Sequence, residues 1–309
     1  MKQLQGAERY SAERLLLIGH ILSMFFGLAG IILVLPNTEF QAKLAQFDWG
    51  RTIFGWSMAG GGVMYMLLGT LAVAFYAYRT IGKWHWLSFM LPAIFLSLGS
   101  ELLGTSTGFP FGNYRYISGL GYKIAGLVPF TIPLSWFYLG FSAYVIARAG
   151  LATVPMKAWL RQMWAIAFGA LCLTSWDFVL DPAMSQATIP FWVWEQPGAF
   201  FGMPYQNFAG WMATGVLFMA VAAMLWRFQP LQLPNKDLEL PLAIYLSNFA
   251  FATILSWSAE IYPPVFIGVM LGIFPLLVFY EMAKSPASAQ QQTEVVTERV
   301  PVVGVEVIK

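Results

Sequence analysis

Eight stretches of this chain are each apolar over about 20 residues, the length needed to cross a bilayer as a helix. They fall at roughly 14–35, 57–78, 84–104, 124–148, 159–180, 207–227, 240–259 and 264–283. In hydrocarbon every backbone polar group must be bonded within the chain, so stretches of this length fold as helices. Only 10% of the 309 residues are charged, against about a quarter in a soluble domain. The expected fold is an all-α polytopic transmembrane bundle of about eight spans, with seven as the alternative. Residues 1–284 form its single domain. Residues 285–309 are polar and rich in Gln and Val, and are expected to be a disordered cytoplasmic tail. The N-terminus has the basic-then-apolar order of a signal peptide but no A-x-A-like cleavage site, and its apolar run is long enough to span.

Lys and Arg settle the expected orientation. With eight spans both termini share one side, which carries Lys2, Arg9, Arg14, Arg79, Lys83, Arg148, Lys157, Arg161, Arg227, Lys236, Lys284, Arg299 and Lys309. The other side carries Lys43, Arg51, Arg115 and Lys123. Thirteen against four places the termini in the cytoplasm. The net charge of +2 and the scattered basic residues give no nucleic-acid surface. The single cysteine, Cys172, lies in an apolar segment and reads as a buried thiol.

The acids fall on the basic-poor side. Glu101 ends the third segment, Asp177 and Asp181 end the fifth, Glu260 ends the seventh, and Glu195 lies in a loop. An ionisable group at membrane depth is expensive and marks a site. Glu195 and Glu260 read equally well as surface acids; Glu101 and Asp177, embedded in apolar sequence, read as functional. Asp177 and Asp181 are four apart and share a helix face, while Pro182 biases the chain out of the helix at about Asp181. Two close carboxylates disfavour double ionisation, so one can keep a proton for general acid chemistry.

Two further stretches surround these acids. From Glu101 to Trp136 runs a turn rich in Gly, Pro and aromatics, read as the mouth of a pocket. From Phe191 to Trp211 runs an aromatic segment without Lys or Arg, most of it readable as interfacial anchors. Asn207 and Trp211, four apart at a helix start, could face the acids, though Asn there is first a cap. Gly104, Gly108 and Gly112 have GxxxG spacing, but in a loop rather than a helix interface. His20 reads as hydrogen-bonded packing and His85 lies at the cytoplasmic end of its segment. With no histidine near the acids, no zinc pattern is present, and the metal and cofactor expectation is none.

At these motifs the sequence resembles the intramembrane carotenoid hydratases of the CruF type. The matching residues are Glu101-Leu-Leu-Gly104-Thr105, Gly108-Phe-Pro-Phe-Gly112-x-Tyr114-x-Tyr116, Pro133-x-x-Trp136, Asp177-x-x-x-Asp181-Pro182 and Gly202-x-Pro204-x-x-Asn207-x-x-Gly210-Trp211. The resemblance runs from about residue 95 to 280. It implies addition of water across the terminal 1,2 double bond of an acyclic carotenoid end group, such as that of γ-carotene or lycopene. The enzyme class is then a carbon–oxygen hydro-lyase without a cofactor. Asp177 or Glu101 would donate the proton, and the other acid or Asp181 would position water. Asn207 would orient that shell, with Tyr114, Tyr116, Trp136 and Trp211 walling the end group. The implied partners are a membrane-dissolved carotenoid, water and the lipid bilayer, with no nucleic acid; association with other enzymes of the pathway stays open. The implied location is a bacterial inner or thylakoid membrane, with the site toward the non-cytoplasmic face.

Two other readings use the same acids. Asp177-x-x-x-Asp181 has the spacing of a Mg²⁺-binding prenyltransferase motif, but the following loop lacks the basic partners a diphosphate needs. A small proton-coupled transporter is the second, although no internal repeat is visible. Cyclisation or isomerisation through the same cation is a third outcome at the same site.

Overall fold

The computed structural model describes residues 2–117, 119–229, 231 and 237–285, with side chains from residue 12 onward except 58 and 59. The expected disordered tail therefore lies, from residue 286, outside the described residues. The chain is a helical membrane protein. Helix α1 (Lys2–Ala29) widens into a π turn at Gly30–Val34, and a short α2 (Thr38–Ala45) follows. Helix α3 (Asp48–Thr107) is 60 residues long, far more than one crossing needs. Its backbone breaks at Gly82 (φ 80°, ψ 168°), a conformation open to glycine. Then come α4 (Thr131–Leu151), α5 (Ala158–Ser185), α6 (Tyr205–Leu225) and α7 (Glu239–Ser258). The last rod is α8 (Tyr262–Gly268), a π turn at Val269–Ile273, and α9 (Phe274–Lys284). Among the described residues, six helical stretches are long and apolar enough to cross a membrane, one of them the 48-residue piece Gly60–Thr107 that Gly82 divides.

Helix α4 is the axis of the bundle: 19 of its 21 residues are buried, against α3, α5, α7 and α9. Surrounded by protein, it buries Thr131, Ser135 and Ser142. Inside it and its neighbours, hydroxyls bond back into their own helix, as Ser142 does to Tyr138 O and Thr174 to Ala170 O. Phe89 fills the core toward the Gly82 end of the bundle, touching Phe141, Tyr144 and Phe218 at ring separations of 5.2–5.7 Å. Beside the Gly82 break, Arg79 clamps three parts of the chain. It donates to buried Glu13 of α1 at 2.7 and 2.8 Å and to Asp237, before α7, at 2.7 Å.

Two sequence boundaries move. Helix α4 begins at Thr131 rather than 124, because residues 123–129 make a small hairpin of β2 (Lys123–Ile124) and β3 (Val128–Pro129). Its turn places Ala125 and Gly126 at positive φ, which no helix accommodates. Helix α5 does not stop near Asp181 but runs through Pro182 to Ser185. Side chains secure that last turn: Ser185 Oγ donates to Asp181 O at 2.8 Å and Gln186 Nε2 to Pro182 O at 2.9 Å.

Candidate active site

The end of the bundle nearest Thr107 is closed by a two-stranded antiparallel ribbon. Strand β1 (Tyr114–Tyr116) pairs with β4 (Trp192–Trp194) in the register Tyr114–Trp194, Arg115–Val193 and Tyr116–Trp192. Side chains alternate across a strand, so Tyr114, Tyr116, Trp192 and Trp194 share one face. That face looks down onto the acids, while Arg115 and Glu195 pair outside at 2.9 Å, both exposed. The α3 terminus positions β1. Gly108 caps α3 in the left-handed conformation (φ 79°) and donates its N–H to Gly104 O at 2.8 Å. Gly104 is equally required, since a Cβ there would lie 2.7 Å from the Phe111 ring.

Under the ribbon, Glu101, Asp177 and Asp181 are all buried and line one cavity. Tyr114 and Tyr116 (2.9 Å) both donate their hydroxyls to Glu101 Oε2, and the Trp136 indole donates to Oε1 at 3.0 Å. Burial, then the adjacent Glu101 charge, push both phenols well above the ordinary tyrosine range, so they remain donors. Asp181 Oδ1 receives two indole N–H groups, from Trp192 at 2.7 Å and Trp194 at 3.0 Å. The Asn207 amide joins the pair, with Nδ2 2.7 Å from Asp177 Oδ2 and 3.1 Å from Asp181 Oδ2. Asn207 is therefore not a cap: it is the third residue of α6, its side chain turned to the acids, and Pro204 takes the cap position. Asp177 Oδ1 has no bonded donor among the described residues.

Trp176 and Trp211 complete the walls, with Trp136 packed behind Trp211. Trp136 and Trp211 stack with ring centroids 4.0 Å apart and 21° between planes, and Trp176 meets Trp211 edge-on at 5.9 Å. The enclosed space is about 50 Å³, room for a few waters at roughly 10–15 Å³ each. Among the described lining residues there is no Lys, Arg or His. The site thus offers three carboxylates, neutral donors and π faces.

Comparison with known proteins fits this geometry. The chain matches, over residues 61–275, the family described as carotenoid biosynthesis protein. It belongs to that family. A 132-residue stretch is also 36% identical to bisanhydrobacterioruberin hydratase of Haloarcula japonica, covering 43% of this chain and 41% of that protein. The chain thus matches less than half the length of this relative. No solved structure matches it.

Of the residues singled out from the sequence of this family member, the three acids, Tyr114, Tyr116, Asn207 and Trp211 line the same cavity. Trp136, expected as a wall of the end group, is fully buried behind Trp211 and reaches the site only through its bond to Glu101. Glu195 and Glu260 do not; the first is paired on the surface and the second is exposed. Three tryptophans went unread. Trp192 and Trp194 looked like interfacial anchors, yet W-x-W has the period-2 spacing of Y-x-Y at 114–116, the signal of a paired ribbon. Trp176 had no distinguishing signal inside an apolar helix. His20 is packing, as expected, with Nδ1 2.7 Å from Tyr65 O and Nε2 2.9 Å from Asn248 Nδ2.

Proposed function

We propose that this protein is a carotenoid 1,2-hydratase in which Asp177 is the proton donor. The observation that carries the reading is the convergence of three buried carboxylates under one aromatic lid, with no cation among the described lining residues. A diphosphate site would need cations there, so the prenyltransferase alternative loses its footing. Both Glu101 oxygens accept bonds from Tyr or Trp donors, and both Asp181 oxygens accept bonds as well. Asp177, with one oxygen unengaged by any described donor, is the acid best placed to give a proton away.

In the proposed reaction Asp177 protonates C2 of the terminal alkene and the tertiary cation develops at C1. The rings of Trp176 and Trp211, which line the cavity, and the negative charge of Glu101 stabilise it. Water adds its oxygen to C1 and releases a proton to Asp181, and the Asn207-bridged pair returns that proton to Asp177. The sum is one water added and no cofactor consumed. The Haloarcula relative carries the name of a hydratase, which favours this outcome over cyclisation. We further read the chain as eight crossings with cytoplasmic termini, α3 crossing twice around Gly82. The cavity then opens toward the non-cytoplasmic face of a bacterial inner or thylakoid membrane.

The test is expression in a bacterium that accumulates lycopene or γ-carotene, followed by mass analysis of the pigment. One added water with an unchanged chromophore is expected. An isomer without added mass would replace hydration by cyclisation, and unaltered pigment with folded protein would defeat the proposal.

A further inference from the structure

A second, larger cavity of about 230 Å³ adjoins the acid cavity. Its walls are the end of α1 and its π turn, from Phe26 to Leu35, and the start of α3, from Trp49 to Tyr65. At about 1.5 Å per residue these walls are roughly 14 and 24 Å long, much longer than one isoprenoid end group. No charged residue is among the described residues that line it. Three residues, Tyr65, Leu120 and Met184, line both cavities. At the other side Phe26, Trp49 and Ile53 are 52%, 59% and 46% exposed, an apolar mouth open at the surface of the bundle.

We propose that this trough is the binding site of a rigid, extended polyene, held with one end in the acid cavity. The inference rests on the hydratase reading and adds to it the place of the rest of the substrate. A lipid-dissolved chain can enter sideways through the mouth and reach the acids past Tyr65, Leu120 and Met184 without crossing water. Three of the trough's glycines agree, whereas Gly50 and Gly62 are required by neighbouring backbone, a Cβ lying 2.2 Å from Leu44 O and 2.6 Å from Gly119 O. Gly27, Gly30 and Gly61 lie in its wall, and a Cβ there would meet no described atom closer than 3.8 Å. Helix packing therefore does not demand glycine at Gly27, Gly30 and Gly61, where it is less favourable to a helix than Ala. Space kept clear of side chains at that expense suits a rod lying against the backbone. The α1 helix also widens to its π turn along this wall, at Gly30, a distortion common at functional sites.

The test uses the full chain with Asp177→Asn, so that substrate is retained rather than converted. The protein is purified from a lycopene-accumulating host, and pigment per chain is read from absorbance. Gly30→Phe and Gly61→Phe fill the trough from opposite walls, and Gly61→Leu is the milder filler should either phenylalanine variant fail to elute as folded protein. Gly99→Phe, on an exposed surface with nothing within 4 Å, is the control. Pigment is expected to fall at least tenfold in the trough variants and to stay unchanged in the control. Retention of pigment by the folded trough variants would overturn the inference, and phospholipid in its place would assign the trough to lipid. The mass of the pigment made by the unsubstituted protein is read in parallel. If it shows added water while trough variants keep their pigment, the hydratase reading stands and the trough assignment fails. If it shows none while trough variants expel pigment, the hydratase reading fails and the polyene site stands.

Discussion

Replacing Glu101 by Gln tests the wiring of the site, because the amide cannot satisfy all three groups that donate to the carboxylate. Trp136 Nε1–H points at one oxygen, and the Tyr114 and Tyr116 hydroxyls point at the other. A glutamine has one acceptor and one donor end. If its NH₂ faces Trp136, two N–H donors meet and the indole, which has no acceptor, is orphaned. If it faces the tyrosines, their hydroxyls must rotate to accept, and their present bonds are lost. An orphaned buried donor costs about 1–3 kcal/mol, and the tyrosine bonds drop from the charged class of about 1.5–3 to the neutral class of about 0.5–1.5 kcal/mol each. The sum is roughly 3–5 kcal/mol, a fall in melting midpoint on the order of 10 °C, measurable on detergent-solubilised protein by loss of the monodisperse peak after heating. Adding Trp136→Phe removes the orphan while keeping a ring against Trp211, and should recover about 1–3 kcal/mol in a double-mutant cycle. A Glu101→Gln protein as stable as the parent, or one that Trp136→Phe only weakens further, would refute the reasoning.

Asp177→Asn should behave in the opposite way, losing about 10²–10⁴-fold in turnover while its melting midpoint holds or rises, since it removes one of two buried carboxylates; equal turnover would end the assignment of Asp177 as donor. Arg79→Leu leaves Glu13 buried without its charge partner and should cost about 3–5 kcal/mol, with Glu13→Gln restoring part of it in heat-challenge assays. Turnover should persist within twofold in excess chelator, whereas a Mg²⁺ requirement measured in the same membranes would revive the diphosphate reading.

The helices were legible because lipid imposes one requirement on backbone that apolar length alone reveals. Each of the eight apolar stretches overlaps a helix of the structure, and α3 holds two of the stretches because Gly82 breaks it without a polar loop. The acids were legible for the converse reason: Glu101 and Asp177 are costly where they stand. What could not be read was pairing across distance. Tyr114–Tyr116 and Trp192–Trp194 are more than 70 residues apart, and a three-residue Y-x-Y or W-x-W carries the period of a strand without naming its partner. The result is a lid seen only as two aromatic loops. The helix end at Asp181 misled because Pro forbids one hydrogen bond, not a helix. In the final turn, Ser185 and Gln186 side chains hold carbonyls in place. The trough was invisible since glycine in a helix announces flexibility or packing before it announces vacancy.

The proposed trough also bears on which product the proposed cation gives. A tertiary cation at C1 can be captured by water or by a double bond farther along the same chain. Ring closure needs that chain to fold back on itself so that a neighbouring alkene reaches C1. A chain held straight between α1 and α3, entering past Tyr65, Leu120 and Met184, could make that fold only inside the acid cavity, whose space of about 50 Å³ leaves little room for it. Water, by contrast, needs only a polar anchor, and the cavity has room for a few molecules beside Asp181 and Glu101. The acid trio alone would serve either reaction, since both begin with proton transfer to C2. On this account the choice between hydration and cyclisation is made by the apolar walls, through the shape they impose on the substrate, and not by the carboxylates that start the reaction.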